Sequence, residues 1–125
     1  MIKHLFFVGS GGALGSILRY LAAICISKHY SGGFPLATFL INISGCVFIG
    51  LFIGLAERFQ FISTDTKLFL VTGLCGGYTT FSAFSSENLQ LFQNGNHLTM
   101  VSYIFFSVLL GIAGVWLGIL LSRIG

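Results

Sequence analysis

Few residues in this chain have the type or spacing for chemistry, and those few sit in apolar surroundings. Cys25, Cys46 and Cys75 share no C-x-x-C spacing, and His4, His29 and His97 lie far apart without a cysteine or acidic partner at ligand spacing. Neither a disulfide framework nor a zinc site is expected. No Ser-His-Asp set and no paired carboxylates are placed for acid–base work, so the chain reads as a non-enzyme. What stands out is an amide, a guanidinium and a hydroxyl-rich run. Asn42 shares a helical face with Thr38 and Gly45 by i, i+3/i+4 spacing. An amide in hydrocarbon is costly unless matched, so Asn42 is either an interhelical hydrogen bond or a donor lining a polar path. Arg19 lies inside the first apolar stretch, where a charge is a functional candidate by default. Its partner is either Glu87 or the carbonyl end of a helix.

The densest signal is the run from Gly73 through Gly76-Gly77-Tyr78-Thr79-Thr80-Phe81-Ser82-Ala83-Phe84 to Glu87. Three glycines and then a series of hydroxyls make a poor helix in the middle of an apolar stretch. Non-helical backbone at membrane depth is tolerated only when it is buried in protein or lines an aqueous cavity. Freed carbonyls there can coordinate a cation, and freed N–H groups can meet an anion. Phe81 and Phe84 are three apart on one face, either as packing or as polarised ring edges turned toward an anion. Tyr103 and Ser107, with Gly111 following, form either a hydroxyl track along a pore wall or a seam against another helix.

The elements that must position these residues follow from composition. Of 125 residues, 55% are hydrophobic and only 7% charged, against about 25% charged in soluble domains. Six basic and three acidic side chains cannot cover a water-exposed surface, and six scattered cations make no basic stripe for nucleic acid. Four apolar stretches, about 5–26, 36–56, 68–92 and 98–122, are each long enough to cross the hydrocarbon. The first is too long for a signal-peptide core and carries Arg19, so it reads as a span. The expectation is one all-α integral membrane domain over residues 1–125, in contact with the lipid bilayer, with four transmembrane helices and the third broken mid-membrane.

Each span holds a small-xxx-small pair: Gly11/Gly15, Gly50/Gly54, Gly73/Gly77 and Gly114/Gly118. Such pairs let backbones approach closely in lipid, within one chain or between chains. Four helices packed this closely leave no central hole, so a permeation path calls for a second subunit. If the spans alternate, Lys3, Arg58, Lys67 and Arg123 share one side, and Lys28 and Arg19 lie toward the other. That bias is slight, as a chain inserting both ways requires.

Taken together, Gly33-Phe34-Pro35-x-x-Thr38-x-x-x-Asn42, the Arg-bearing glycine-rich first span and Gly76-Gly77-Tyr78-Thr79-Thr80-Phe81-Ser82-x-Phe84-Ser85-x-Glu87 resemble the small bacterial CrcB/Fluc-type fluoride channels over essentially the whole chain. The resemblance implies a multi-pass protein of the bacterial inner membrane that exports fluoride passively. It also implies an antiparallel, dual-topology homodimer with two pores and a structural, non-transported Na⁺ at the subunit interface. By motif, Asn42 would donate to fluoride, and Phe81 and Phe84 would present ring edges to it. Thr38, Thr80, Ser82, Tyr103 and Ser107 would line the same path, with Arg19 near a mouth. Gly76 and Thr79 would give carbonyls to the sodium. Ala83 and Gly111 stand where the family pattern has hydroxyl residues. Two other classes remain in view. A dual-topology proton-coupled small-drug exporter needs an intramembrane carboxylate, for which only Glu87 qualifies. A non-transporting assembly subunit would account for the glycines but not for the hydroxyl-rich run.

Overall fold

The computed structural model describes residues 1–124, and every described element is helical. In order these are α1 (Ile2–His29), α2 (Leu36–Arg58), α3 (Thr64–Lys67), a π-helical segment (Leu68–Cys75), α4 (Gly76–Tyr78), α5 (Phe81–Gln93) and α6 (His97–Ser122). Four stretches, Ile2–His29, Leu36–Arg58, Thr64–Gln93 and His97–Ser122, are long and apolar enough to cross a membrane. Helix is the local solution there because each backbone donor finds its acceptor within the same segment.

The helices run past the apolar stretches. Hydropathy stops at a charge, whereas a helix stops at a cap. α1 ends with Lys28 and His29 in its last turn, where cations complement the carbonyl end of the dipole. The third stretch begins a turn before its first leucine because Ser63 caps α3, its hydroxyl accepting from the Thr66 N–H at 3.2 Å. Asp65 in that turn pairs with Lys3 at 3.0 Å, tying it to the start of α1. α5 closes at Gly95, whose φ of +77° favours glycine. The Asn96 N–H there reaches back to the Leu91 carbonyl at 2.8 Å, as in a glycine-closed helix end. At the far end of α6, Arg58 donates to the Ser122 and Ile124 carbonyls at 2.8 and 3.0 Å.

Glycine backbone, not bulky side chains, makes the interior. α2 packs along α6: a Cβ at Gly50 would overlap the Val115 carbonyl, one at Gly54 the Ser122 hydroxyl, and one at Gly118 the Val47 carbonyl. α1 packs on the π-helical segment and α4 in the same way. A Cβ at Gly15 would overlap the Leu74 carbonyl, and one at Gly73 would lie 2.8 Å from the Val8 carbonyl oxygen. All four small-xxx-small pairs therefore meet partners inside the chain. Large apolar residues turn outward instead, among them Phe105, Val108, Ile112 and Trp116 on α6. The buried hydrophobic set is small: Ile41, Cys75, Leu91 and Tyr103. This inside-out distribution suits lipid, which removes the drive to bury hydrocarbon and leaves close packing and polar bonds to hold the helices.

Between Tyr78 and Phe81 the helical winding stops. Thr79 (φ −84°, ψ 158°) and Thr80 (φ −148°, ψ 114°) are extended. Upstream, Leu68–Cys75 winds in wider π-helical turns against α1.

Candidate functional site

Asn42 on α2 fastens the two extended threonines. Its Nδ2 donates to the Thr80 carbonyl at 3.1 Å, and its Oδ1 accepts from the Thr80 N–H at 2.8 Å. In a continuing helix that N–H would have gone to the Gly76 carbonyl, which thus lacks its i+4 donor. Thr79 turns its hydroxyl back onto the Cys75 carbonyl at 2.9 Å, beside its own N–H at 3.0 Å. Its methyl occupies the space a Cβ at Gly45 would need. Thr80 starts the next helix, its hydroxyl accepting from the Ala83 N–H at 3.2 Å and lying 3.3 Å from the Ser82 hydroxyl. Tyr78 is held by Ser44 across α2, the two hydroxyls 3.0 Å apart.

Arg19 reaches the same place from α1, its Nε donating to the Gly77 carbonyl at 3.1 Å. Of the two partners left open by the sequence, the carbonyl end of a helix is the one it meets. One stretch of backbone thus has its polar groups met by α1 through Arg19 and by α2 through Asn42.

Glu87 organises a second cluster one turn beyond Phe84. Thr38 donates to its Oε2 at 2.7 Å and Tyr103 to its Oε1 at 2.8 Å. Tyr103 is fully buried. The Phe84 and Phe34 rings meet it edge to face at 4.9 and 5.3 Å between centroids. Three spans therefore converge on one carboxylate, which matches the rule that intramembrane acids face the bundle interior and find partners. Phe84 is half-buried against this cluster, whereas Phe81, 5.8 Å away from it, is 78% exposed. Ser107 lies one turn along α6 from Tyr103 and is half-buried.

An open groove of about 470 Å³ joins Asn42, Gly76, Thr79, Thr80 and Phe81. Thr38, Phe84 and Tyr103 belong instead to the Glu87 cluster, while Ser82 attaches to the break through Thr80 and Arg19 through Gly77. Gly76 and Thr79 share the groove wall. Among the described residues no three His, Cys, Asp or Glu side chains gather as a metal site. Sequence reading missed the Thr38–Glu87–Tyr103 convergence, although Thr38 and Glu87 were both marked and the i, i+4 relation of Tyr103 to Ser107 was visible. It also missed Ser44–Tyr78, two common residues with no unusual spacing.

Fold and site define a small membrane-spanning protein whose glycine-packed helices enclose polar side chains around the extended Thr79-Thr80 pair. The chain belongs to the CrcB family: the model described as CrcB-like protein, Camphor Resistance (CrcB), matches residues 6–119. Among its relatives is a protein of Flavobacterium psychrophilum called fluoride-specific ion channel FluC, 49% identical, with 98% of each chain covered. A protein of the same name from Phocaeicola vulgatus is 48% identical over 98% of this chain and 100% of its own. One from Chlorobium phaeobacteroides is 42% identical over 98% and 95%.

Proposed function

We propose that this protein is a fluoride channel of the bacterial inner membrane that lets the anion leave the cytoplasm passively. Relatives carrying that name match nearly the whole chain. The observation that carries the reading is the Asn42–Thr80 clamp beside an outward-turned Phe81 ring. The clamp uses one of the two Asn42 amide hydrogens on the Thr80 carbonyl, leaving the other as a donor on the groove. Phe81 adds the positive edge of an aromatic quadrupole. Neither is a full cation, so a small, strongly hydrated anion can be attracted without being trapped. HF crosses lipid, dissociates in neutral cytoplasm, and the anion then leaves down its gradient.

In this reading the third span is interrupted at mid-membrane, and the open face with the groove is completed by a second, oppositely inserted copy, giving two pores. Thr38, Phe84, Tyr103 and Ser107 continue the polar wall, with Thr80 and Ser82 at its centre and Arg19 toward a mouth. The Gly76 carbonyl lacks its i+4 donor, and Thr79 is extended beside it. This donor set suits a hard monovalent cation: Gly76 and Thr79 of both copies would hold one Na⁺, whose charge would fix the two breaks together. The test is fluoride efflux from liposomes containing only this protein, followed with a fluoride electrode. Release of fluoride without chloride supports the channel; drug–proton exchange or no flux would replace it.

A further inference from the structure

Beyond the groove at the break, the surface has a second hollow of about 650 Å³, between the end of α2 and the start of the third stretch. Its outer wall carries Glu57, Gln60, Thr64 and Lys67. Val71 and Thr72 line both this hollow and the groove of Asn42, Thr79 and Thr80. The two hollows therefore border one another along Val71 and Thr72, with the charged helix ends on one side and the extended Thr79-Thr80 backbone on the other, and together they outline a trough.

Two details give this trough a use. Thr72 is the only hydroxyl between Lys67 and Tyr78, is exposed on the trough wall, and has no side-chain partner among the described residues. A hydroxyl turned to lipid would lose its hydrogen bonds, whereas one in a water-filled trough keeps them. Lys67 is likewise without an ion pair among the described residues, although the neighbouring Lys3 is held by Asp65 at 3.0 Å. Glu57 faces the same hollow and lies beyond ion-pair distance of it. Among the described residues the mouth thus carries a lysine and a glutamate without ion-pair partners, on a wall that borders the groove of Asn42, Thr79 and Thr80.

We propose that this trough is an entry route for the conducted anion. Lys67 raises the local fluoride concentration at the mouth, and Glu57 lowers it. The inference rests on the fluoride-channel reading and adds to it a mouth and two residues that set entry. Clefts lined by charge raise the local counter-ion concentration. A unit charge about 8 Å away in water changes that concentration roughly two- to threefold, and salt at 0.5 M shortens its reach to roughly 4 Å.

The experiment is fluoride efflux from liposomes containing wild-type protein, Lys67→Gln, Lys67→Glu or Glu57→Gln, at low ionic strength and at 0.5 M impermeant salt. At low salt Lys67→Gln should slow efflux about twofold, Lys67→Glu should slow it further, and Glu57→Gln should speed it about twofold. At high salt all four should converge. Loss of packing would slow all variants and ignore salt, so opposite, salt-sensitive effects are the signature. Unchanged rates at low salt, or changes of one sign at both salts, overturn the trough while wild-type fluoride flux keeps the channel reading intact. A wild-type protein that passes no fluoride removes both.

Discussion

Replacing Asn42 separates its two roles, as a clamp on the backbone and as a donor toward the groove. Asn42→Ala leaves the Thr80 N–H and carbonyl without their partners at 2.8 and 3.1 Å. Hydrogen bonds between membrane helices contribute about 0.6–1.7 kcal/mol each, so losing two costs roughly 1–3 kcal/mol. The Thr80 amide should then exchange with solvent roughly five- to 150-fold faster, since local opening governs that rate. Asn42→Asp keeps an acceptor for the Thr80 N–H but sets a carboxylate against the Thr80 carbonyl and beside the groove. An ionised carboxylate about 5 Å from the path, at an effective dielectric of about 20, raises an anion's energy by about 3 kcal/mol. Fluoride efflux should fall about 100-fold in Asn42→Asp, and about tenfold or less in Asn42→Ser, which retains a short donor. Both are measured with a fluoride electrode on liposomes, with amide exchange and gel filtration on the same preparations. Equal efflux from all the proteins, together with unchanged Thr80 exchange, would refute the clamp and the donor alike.

Phe81→Ile should lower fluoride efflux at least tenfold while leaving thermal stability unchanged, because the ring is 78% exposed. Phe84→Ile should lower efflux as well, and should also destabilise by about 1 kcal/mol through loss of the edge-to-face contact with Tyr103. If neither changes flux, the rings serve packing alone. Gly118→Ala should destabilise by about 1–3 kcal/mol, because its Cβ would overlap a backbone carbonyl on α2 that cannot swing aside. Gly9→Ala meets nothing within 4 Å and should stay within about 0.5 kcal/mol in the same detergent melts. Labelling of terminal tags in sealed vesicles should find each terminus on both faces, and efflux should weaken in sodium-free medium. One-sided termini would remove the antiparallel pair, and full flux without sodium would remove the structural ion.

The number of apolar helices, and the place where the helical winding stops, were legible because lipid imposes simple rules. Long apolar runs must be helices, and glycines among hydroxyls make a poor one. Asn42 and the Thr79-Thr80 pair drew notice separately for that reason, yet nothing in their spacing says that the amide of one holds the backbone of the other. That bond depends on how α2 lies against the third stretch, and the close approach in turn depends on Gly45 making room for the Thr79 methyl. Glu87 was similar. Hydropathy marks it as the fading end of a span, whereas its two hydrogen bonds come from Thr38, 49 residues away, and Tyr103, 16 residues on. The π-helical winding of Leu68–Cys75 has no signature in composition at all, since its residues would suit an ordinary helix equally well. Lys3 and Asp65 meet at 3.0 Å, which sets the start of α1 beside the start of the third stretch, a pairing that their positions in the sequence do not announce.

The most direct test of the central claim is the reversal potential of the current through the purified protein in a planar bilayer, under a fluoride gradient with symmetric chloride and pH. A passive fluoride pore predicts reversal at the fluoride equilibrium potential, unmoved when a chloride or a proton gradient is then added. Reversal that follows chloride or pH, or the absence of any fluoride-dependent current, would contradict it.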